Sequence, residues 1–114
     1  MPRFVVLIHD YPVLHWDLML EDGEALRTWR LEKEPAAGAE MVAESLLPHR
    51  LAYLDYEGPV SGGRGRVTRF AAGHYSLREE RPGEIRIEFS GKGFPDSCVL
   101  RHSEESHWIA RFSS

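Results

Sequence analysis

Three histidines and an aspartate in the first half of the chain are of the types that hold a metal ion: His9, His15, Asp17 and His49. His15 and Asp17 are two residues apart, so in an extended strand both side chains leave from one face. His9 ends an apolar run six residues before His15, across a tight connection. Two imidazoles and a carboxylate suit manganese or zinc, and three protein ligands leave positions open for water and substrate. A cation so held activates water and neutralises charge developing on a phosphoryl group. Spacing alone does not force this reading. No dense ligand motif is present, and histidines in a β domain are more often at the surface or satisfied by single hydrogen bonds. His74, His102 and His107 are read in that simpler way.

The elements that must position these groups are short and extended. Residues 4–8 form an apolar, valine-rich run that reads as a buried strand, broken by Asp10-Tyr11-Pro12. Residues 15–21 alternate, with His15, Asp17 and Met19 on one face and Trp16, Leu18 and Leu20 on the other. Asp22-Gly23 signals a hairpin turn, and residues 25–31 form the returning strand. The alternation puts the candidate metal site on the inner face of this hairpin.

A two-residue turn at Asp22-Gly23 sets His15 opposite Arg30 and Trp16 opposite Trp29. Arg30 then shares the face of His15 and Asp17. It is either a phosphate contact or, the preferred reading, an exposed arginine at a sheet edge. The two tryptophans, with Trp108, are read as core.

Residues 41–47 read as strand in preference to a short helix, and residues 51–56 as a further strand. Residues 58–65 form a glycine-rich loop whose Arg64, with the neighbouring Arg66, is read as part of a mobile, solvated turn rather than a phosphate site. Short strands follow at 67–70, 73–77, 85–89, 97–101 and 108–112. Many short strands separated by turn residues predict an all-β fold, a compact antiparallel β-barrel of about eight short strands with little helix. Residues 1–114 are expected to form a single domain, since no linker or repeat divides them.

Composition narrows the function classes. The formal charge of −4 gives no overall attraction to a long nucleic-acid duplex, but leaves room for an enzyme that grips one strand end. No apolar stretch is long enough to span a membrane, and no secretory leader is evident at the N-terminus. A lone cysteine, Cys98, rules out an intrachain disulfide and fits a reducing cytoplasm, the expected location. Placed inside a strand, it reads as a buried, unreactive thiol.

Phe4-Val5-Val6-Leu7-Ile8-His9 followed by His15-Trp16-Asp17-Leu18 resembles the start of the 3′-phosphoesterase domain of bacterial DNA ligase D. The resemblance continues through Trp29 and Lys33-Glu34-Pro35, and returns at His49-Arg50-Leu51-Ala52-Tyr53 and Asp55-Tyr56-Glu57-Gly58. It is looser at Gly91-Lys92-Gly93 and Trp108-Ile109. It implies a manganese-dependent enzyme acting on nucleic-acid 3′ ends, which removes a terminal ribonucleotide's nucleoside and then the exposed 3′-phosphate. It implies His9, Asp17 and His49 as metal ligands, His15 as a contact to the scissile phosphate, Tyr53 as an active-site tyrosine and Lys33 near the phosphate.

Two positions depart from the pattern: Met19 and Met41 stand where the family has arginines, and the first of those arginines clamps phosphate. The family's N-terminal arm is also not expected here. These departures leave two further readings, an inactive module that binds nucleic acid or phosphate, and a metal-dependent phosphoesterase of small metabolites. On the leading reading the protein is expected to work alone or beside a separately encoded DNA ligase.

Overall fold

The computed structural model describes residues Met1–Ser114 as nine strands and one helical turn. The strands are β1 (Arg3–His9), β2 (His15–Asp22), β3 (Ala25–Leu31), β4 (Glu40–Arg50), β5 (Gly58–Pro59), β6 (Arg66–Arg81), β7 (Glu84–Ser90), β8 (Ser97–Glu104) and β9 (His107–Ser113). A 3-10 turn, Leu51–Leu54, follows β4. Neighbours run β1-β2-β3-β4-β9-β8-β7-β6, and β6 pairs back onto β1, so eight antiparallel strands close a barrel. Closure removes the free sheet edges that would otherwise invite intermolecular pairing. The two-residue β5 adds to the start of β6. No helix is long and apolar enough to cross a membrane.

Alternation along the strands fills the interior. Phe4, Val6, Leu18, Leu20 and Leu31 pack with Ile85, Leu100 and Phe112 in a cluster of 17 buried residues. Cys98 lies among them, and burial pushes its thiol up to about 12, as an inert core residue requires. The opposite faces of β1 and β2 are covered too. Val5, Leu7 and Met19 join Leu26, Leu54 and Val67 in a second cluster outside the barrel wall, with Leu51, Tyr53 and Val60 packed over it. Burial on both faces explains why β1 reads as an unbroken apolar run instead of an alternating one. The face carrying His15, Asp17 and Met19 is therefore the covered outer wall, not the inner face expected from the hairpin alone.

Three local expectations are corrected. The hairpin loop is Gly23-Glu24, with φ +63° at Gly23, so Asp17 faces Arg30 and Trp16 faces Leu31. The register differs by two residues from the expected one, which changes every partner but preserves each face. Trp16 and Trp29 thus do not pair; Trp29 meets Trp108 edge-on at 6.1 Å.

Residues 51–54 are a 3-10 turn where a strand was expected. Leu51 and Leu54 both pack on the outer cluster, and a spacing of three matches three residues per turn, not the period of two in a strand. Finally, the strands expected at 67–70 and 73–77 are one 16-residue strand, β6, which pairs first with β1 and then with β7.

Candidate metal centre

The antiparallel register of β1 and β2 sets His9 opposite His15 and Leu7 opposite Asp17. This brings His9, His15 and Asp17 together at one end of the two strands, with their ligand atoms all within 4.8 Å of one another. Asp17 Oδ1 lies 3.3 Å from His15 Nε2, and Asp17 Oδ2 lies 3.6 Å from His9 Nδ1. His15 and Asp17 are only 2% and 3% exposed, so water does little to solvate them.

Backbone carbonyls fix both imidazoles. His15 Nδ1 is 2.8 Å from the Val13 carbonyl, and His9 Nε2 is 2.8 Å from the Arg64 carbonyl. A carbonyl only accepts, so each of these nitrogens carries the proton and donates it. In the neutral rings, His15 Nε2 and His9 Nδ1 are left with lone pairs facing the carboxylate. The 3.3 Å contact is misaligned for a hydrogen bond: His15 Nε2 and Asp17 Oδ1 are both buried with no hydrogen-bond partner. Burial of such acceptors without a donor costs about 1–3 kcal/mol each. A divalent cation satisfies all three atoms at once, and two imidazoles with one carboxylate are a suitable set for it. The carbonyl bonds are the outer contacts that orient metal-ligating histidines.

Competing contacts act on the charged form of His15. Burial disfavours the charged ring, but the adjacent Asp17 carboxylate and the Val13 carbonyl outweigh burial and the opposing charge of Arg30. The His15 pKa is raised as a result.

The glycine-rich loop is part of this construction, not a free solvated turn. Arg66 N–H donates to Asp10 Oδ1 at 2.8 Å, Val60 N–H donates to the Gly65 carbonyl at 2.8 Å, and Arg64 Nε donates to the Ser61 carbonyl at 2.7 Å. Gly65 has φ +75°, and a Cβ there would lie 2.2 Å from Asp10 Oδ1 and 2.6 Å from Tyr11 Cβ. Only glycine lets the chain pass so close to Asp10 and still present the Arg64 carbonyl to His9.

His9 and Asp17 open into a cavity of about 580 Å³. Met19 and Arg30 also line it, and His49 and Tyr53 line it from β4 and the 3-10 turn. Three arginines, Arg30, Arg50 and Arg64, share the lining with one carboxylate, Asp17. A chain of net charge −4 thus gathers positive charge at this cavity, which favours an anionic ligand.

The expected site residues fall into distinct places. The geometric group is His9, His15 and Asp17; His49 is not in it. His49 Nδ1 donates to the Leu47 carbonyl at 2.9 Å, and its ring meets Tyr53 edge-on with centroids 6.0 Å apart. His15, and not His49, lies beside His9 and Asp17. Arg30 is half-buried in the cavity wall, not exposed at an edge. Lys33 is exposed beyond the end of β3 and does not line the cavity.

Met19 belongs to the cavity, but Met41 is 3% exposed in the barrel interior, so the missing arginine at 41 leaves no gap in the site. The carbonyls of Val13 and Arg64 were invisible to reasoning from side chains. Asp10, next to His9, and the close glycines were the available signals for the second of them.

A family model for the DNA Ligase D 3'-phosphoesterase domain matches residues 8–102 of the chain. No curated protein matches it.

Proposed function

The chain belongs to the DNA ligase D 3′-phosphoesterase domain family, and we propose that it hydrolyses phosphate esters at nucleic-acid 3′ ends with manganese as its cation. In this proposal a terminal ribonucleoside is removed first and the exposed 3′-phosphate second. The observation that carries the reading is the meeting of His15 Nε2, His9 Nδ1 and Asp17 around one point with no donor among them.

His9, His15 and Asp17 would hold the ion; His15 is then a ligand, and His49 faces the substrate. When bound, the ion supplies Lewis-acid polarisation of a phosphate oxygen and a more acidic water. The Leu47 carbonyl holds the Nδ1 proton of His49, so Nε2 faces the ester and, in the doubly protonated ring, gives its proton to the leaving oxygen. Tyr53, at the edge of that ring, positions the phosphate through its hydroxyl. Lys33, outside the cavity, has no role in this scheme. A free 3′-hydroxyl is what a ligase joins, so the reaction would precede strand sealing by a separately encoded DNA ligase in cytoplasmic DNA repair.

Met19 favours one rival. An apolar, 1% exposed side chain in the cavity contributes no charge to a phosphate, as expected of a module that binds metal and phosphate without turnover. The test is release of inorganic phosphate from a 3′-phosphate oligonucleotide with added manganese, for wild type and His9→Ala. Manganese-dependent release lost in the variant supports the enzyme. No release despite bound manganese favours the binding module, and faster release from a simple aryl phosphate than from the oligonucleotide points to small metabolites.

A further inference from the structure

Of the three cavity arginines, Arg64 is tied to its loop and Arg50 is exposed, so Arg30 is the half-buried charge that the metal centre leaves unexplained. It lies directly opposite Asp17 across the β2–β3 ladder and lines the same cavity. Its Nε is buried and has no hydrogen-bond partner, and its guanidinium forms no ion pair. Two carboxylates are close in the sheet register, yet neither serves it. Asp17 is committed to the two imidazoles, and Glu44, opposite Arg30 on β4, makes no ion pair with it.

Other arginines show the contrast. Arg64 is tied within its loop to Ser61, Arg27 pairs with Glu80 at 3.1 Å, and Arg3 pairs with Asp55 at 2.7 Å. Partial burial of a guanidinium with no partner is unfavourable, because its donors lose water without gaining an acceptor. A tetrahedral oxyanion supplies those acceptors, and the planar fork of arginine matches two of its oxygens.

We propose that Arg30 is the phosphate-clamping residue of this site, reaching the cavity from β3 where β2 offers only Met19. The inference rests on the phosphoester reading above and adds the residue that binds its anion. Met19 is what makes the arrangement workable. An uncharged side chain in the same cavity wall adds no further positive charge to the arginines that already line it. The charge is thereby moved from one strand to its neighbour, while the face and the cavity stay the same.

The probe is inorganic phosphate, titrated calorimetrically into the manganese-loaded full chain, with manganese affinity measured separately by electron paramagnetic resonance. Arg30→Ala is expected to weaken phosphate binding at least about tenfold, as loss of charge-assisted hydrogen bonds does, and to leave manganese affinity within about twofold. Arg30→Lys should bind with intermediate strength, and added guanidinium should partly restore binding to Arg30→Ala. If Arg30→Ala does not fold, Arg30→Gln serves in its place, since its length keeps the cavity wall filled. Equal phosphate affinity in wild type and variant would overturn the proposal, as would a wild type that binds no phosphate. Oligonucleotide turnover in that last case would leave the enzymatic reading standing without Arg30. Arg30-dependent phosphate binding without any turnover would support Arg30 and remove the enzymatic reading.

Discussion

Asp17 and Glu84 are both carboxylates on barrel strands among basic side chains, but their surroundings differ in kind. Glu84 opens β7 and accepts from Arg86 Nε at 2.8 Å, Arg101 Nε at 3.1 Å and Arg81 Nη2 at 3.4 Å. The bonds from Arg86 and Arg101 dominate in holding its carboxyl at about 2, well below the ordinary carboxylate range. Every charge there has a partner, and nothing is left over to bind. Asp17 faces two imidazoles whose protons point away to carbonyls, and beside it an arginine with no partner at all. What separates the two regions is unfinished hydrogen bonding under burial, and that is the feature that calls for a ligand.

The largest effect should come from Asp17→Asn. Its amide can donate to His15 Nε2, so the metal-free protein should keep or gain thermal stability. Manganese binding and phosphate release should meanwhile fall by more than about a hundredfold, beyond what loss of an outer contact causes. Thermal unfolding with and without manganese, beside the phosphate assay, measures both. A variant that unfolds far below wild type yet binds manganese would make Asp17 a structural residue like Glu84.

Gly65→Ala comes next. The added methyl forces the loop off Asp10, and the Arg64 carbonyl then leaves His9. Manganese affinity should drop about 10- to 100-fold, the usual cost of losing an outer-shell contact, while the distant barrel wall is unaffected. Isothermal titration with manganese checks this, and unchanged affinity would free His9 from the loop.

The pH response should invert when metal is added. The pKa of His15 is raised in the folded, metal-free protein. Its contribution to stability is therefore fully present below the unfolded histidine value and is lost as pH rises through the folded value. Metal-free protein should accordingly be more stable on the acid side of that window. Manganese needs the unprotonated ring, so its affinity should fall as pH drops through the same value. Denaturant melts across this range, with and without manganese, would show the two opposite trends.

Glu84→Gln should have the smallest effect, with manganese binding and phosphate release unchanged. Glu84 has a depressed pKa, so its contribution is present above the ordinary carboxylate value and is lost as pH falls through about 2. The variant should show a flatter acid limb in a fluorescence-monitored pH titration. A catalytic defect would mean that the closed charge cluster is coupled to the site.

Sequence patterning carried the barrel and the face of the site, because the alternation His15, Asp17, Met19 survives any even change of register. It did not carry the partners. Whether Arg30 faces His15 or Asp17 depends on where the chain turns, and Asp22-Gly23 and Gly23-Glu24 are both plausible two-residue loops. The outer cover was hidden for a similar reason. Residues 51–54 read as strand until Leu51 and Leu54 are seen to need the same side. The place of His49 depends on how the end of β4 and the following turn fold over β1 and β2, which no spacing within residues 9–17 encodes. The interior position of Met41 follows from strand parity on β4, and parity is fixed only once the neighbouring strands are known.

The most direct measurement is manganese stoichiometry by electron paramagnetic resonance on His15→Ala and His49→Ala beside wild type. Ligation by His9, His15 and Asp17 predicts that His49→Ala still binds manganese as wild type does, while His15→Ala loses it. Retention of the ion by His15→Ala with its loss from His49→Ala would contradict that ligand set, and with it the metal centre described for these strands.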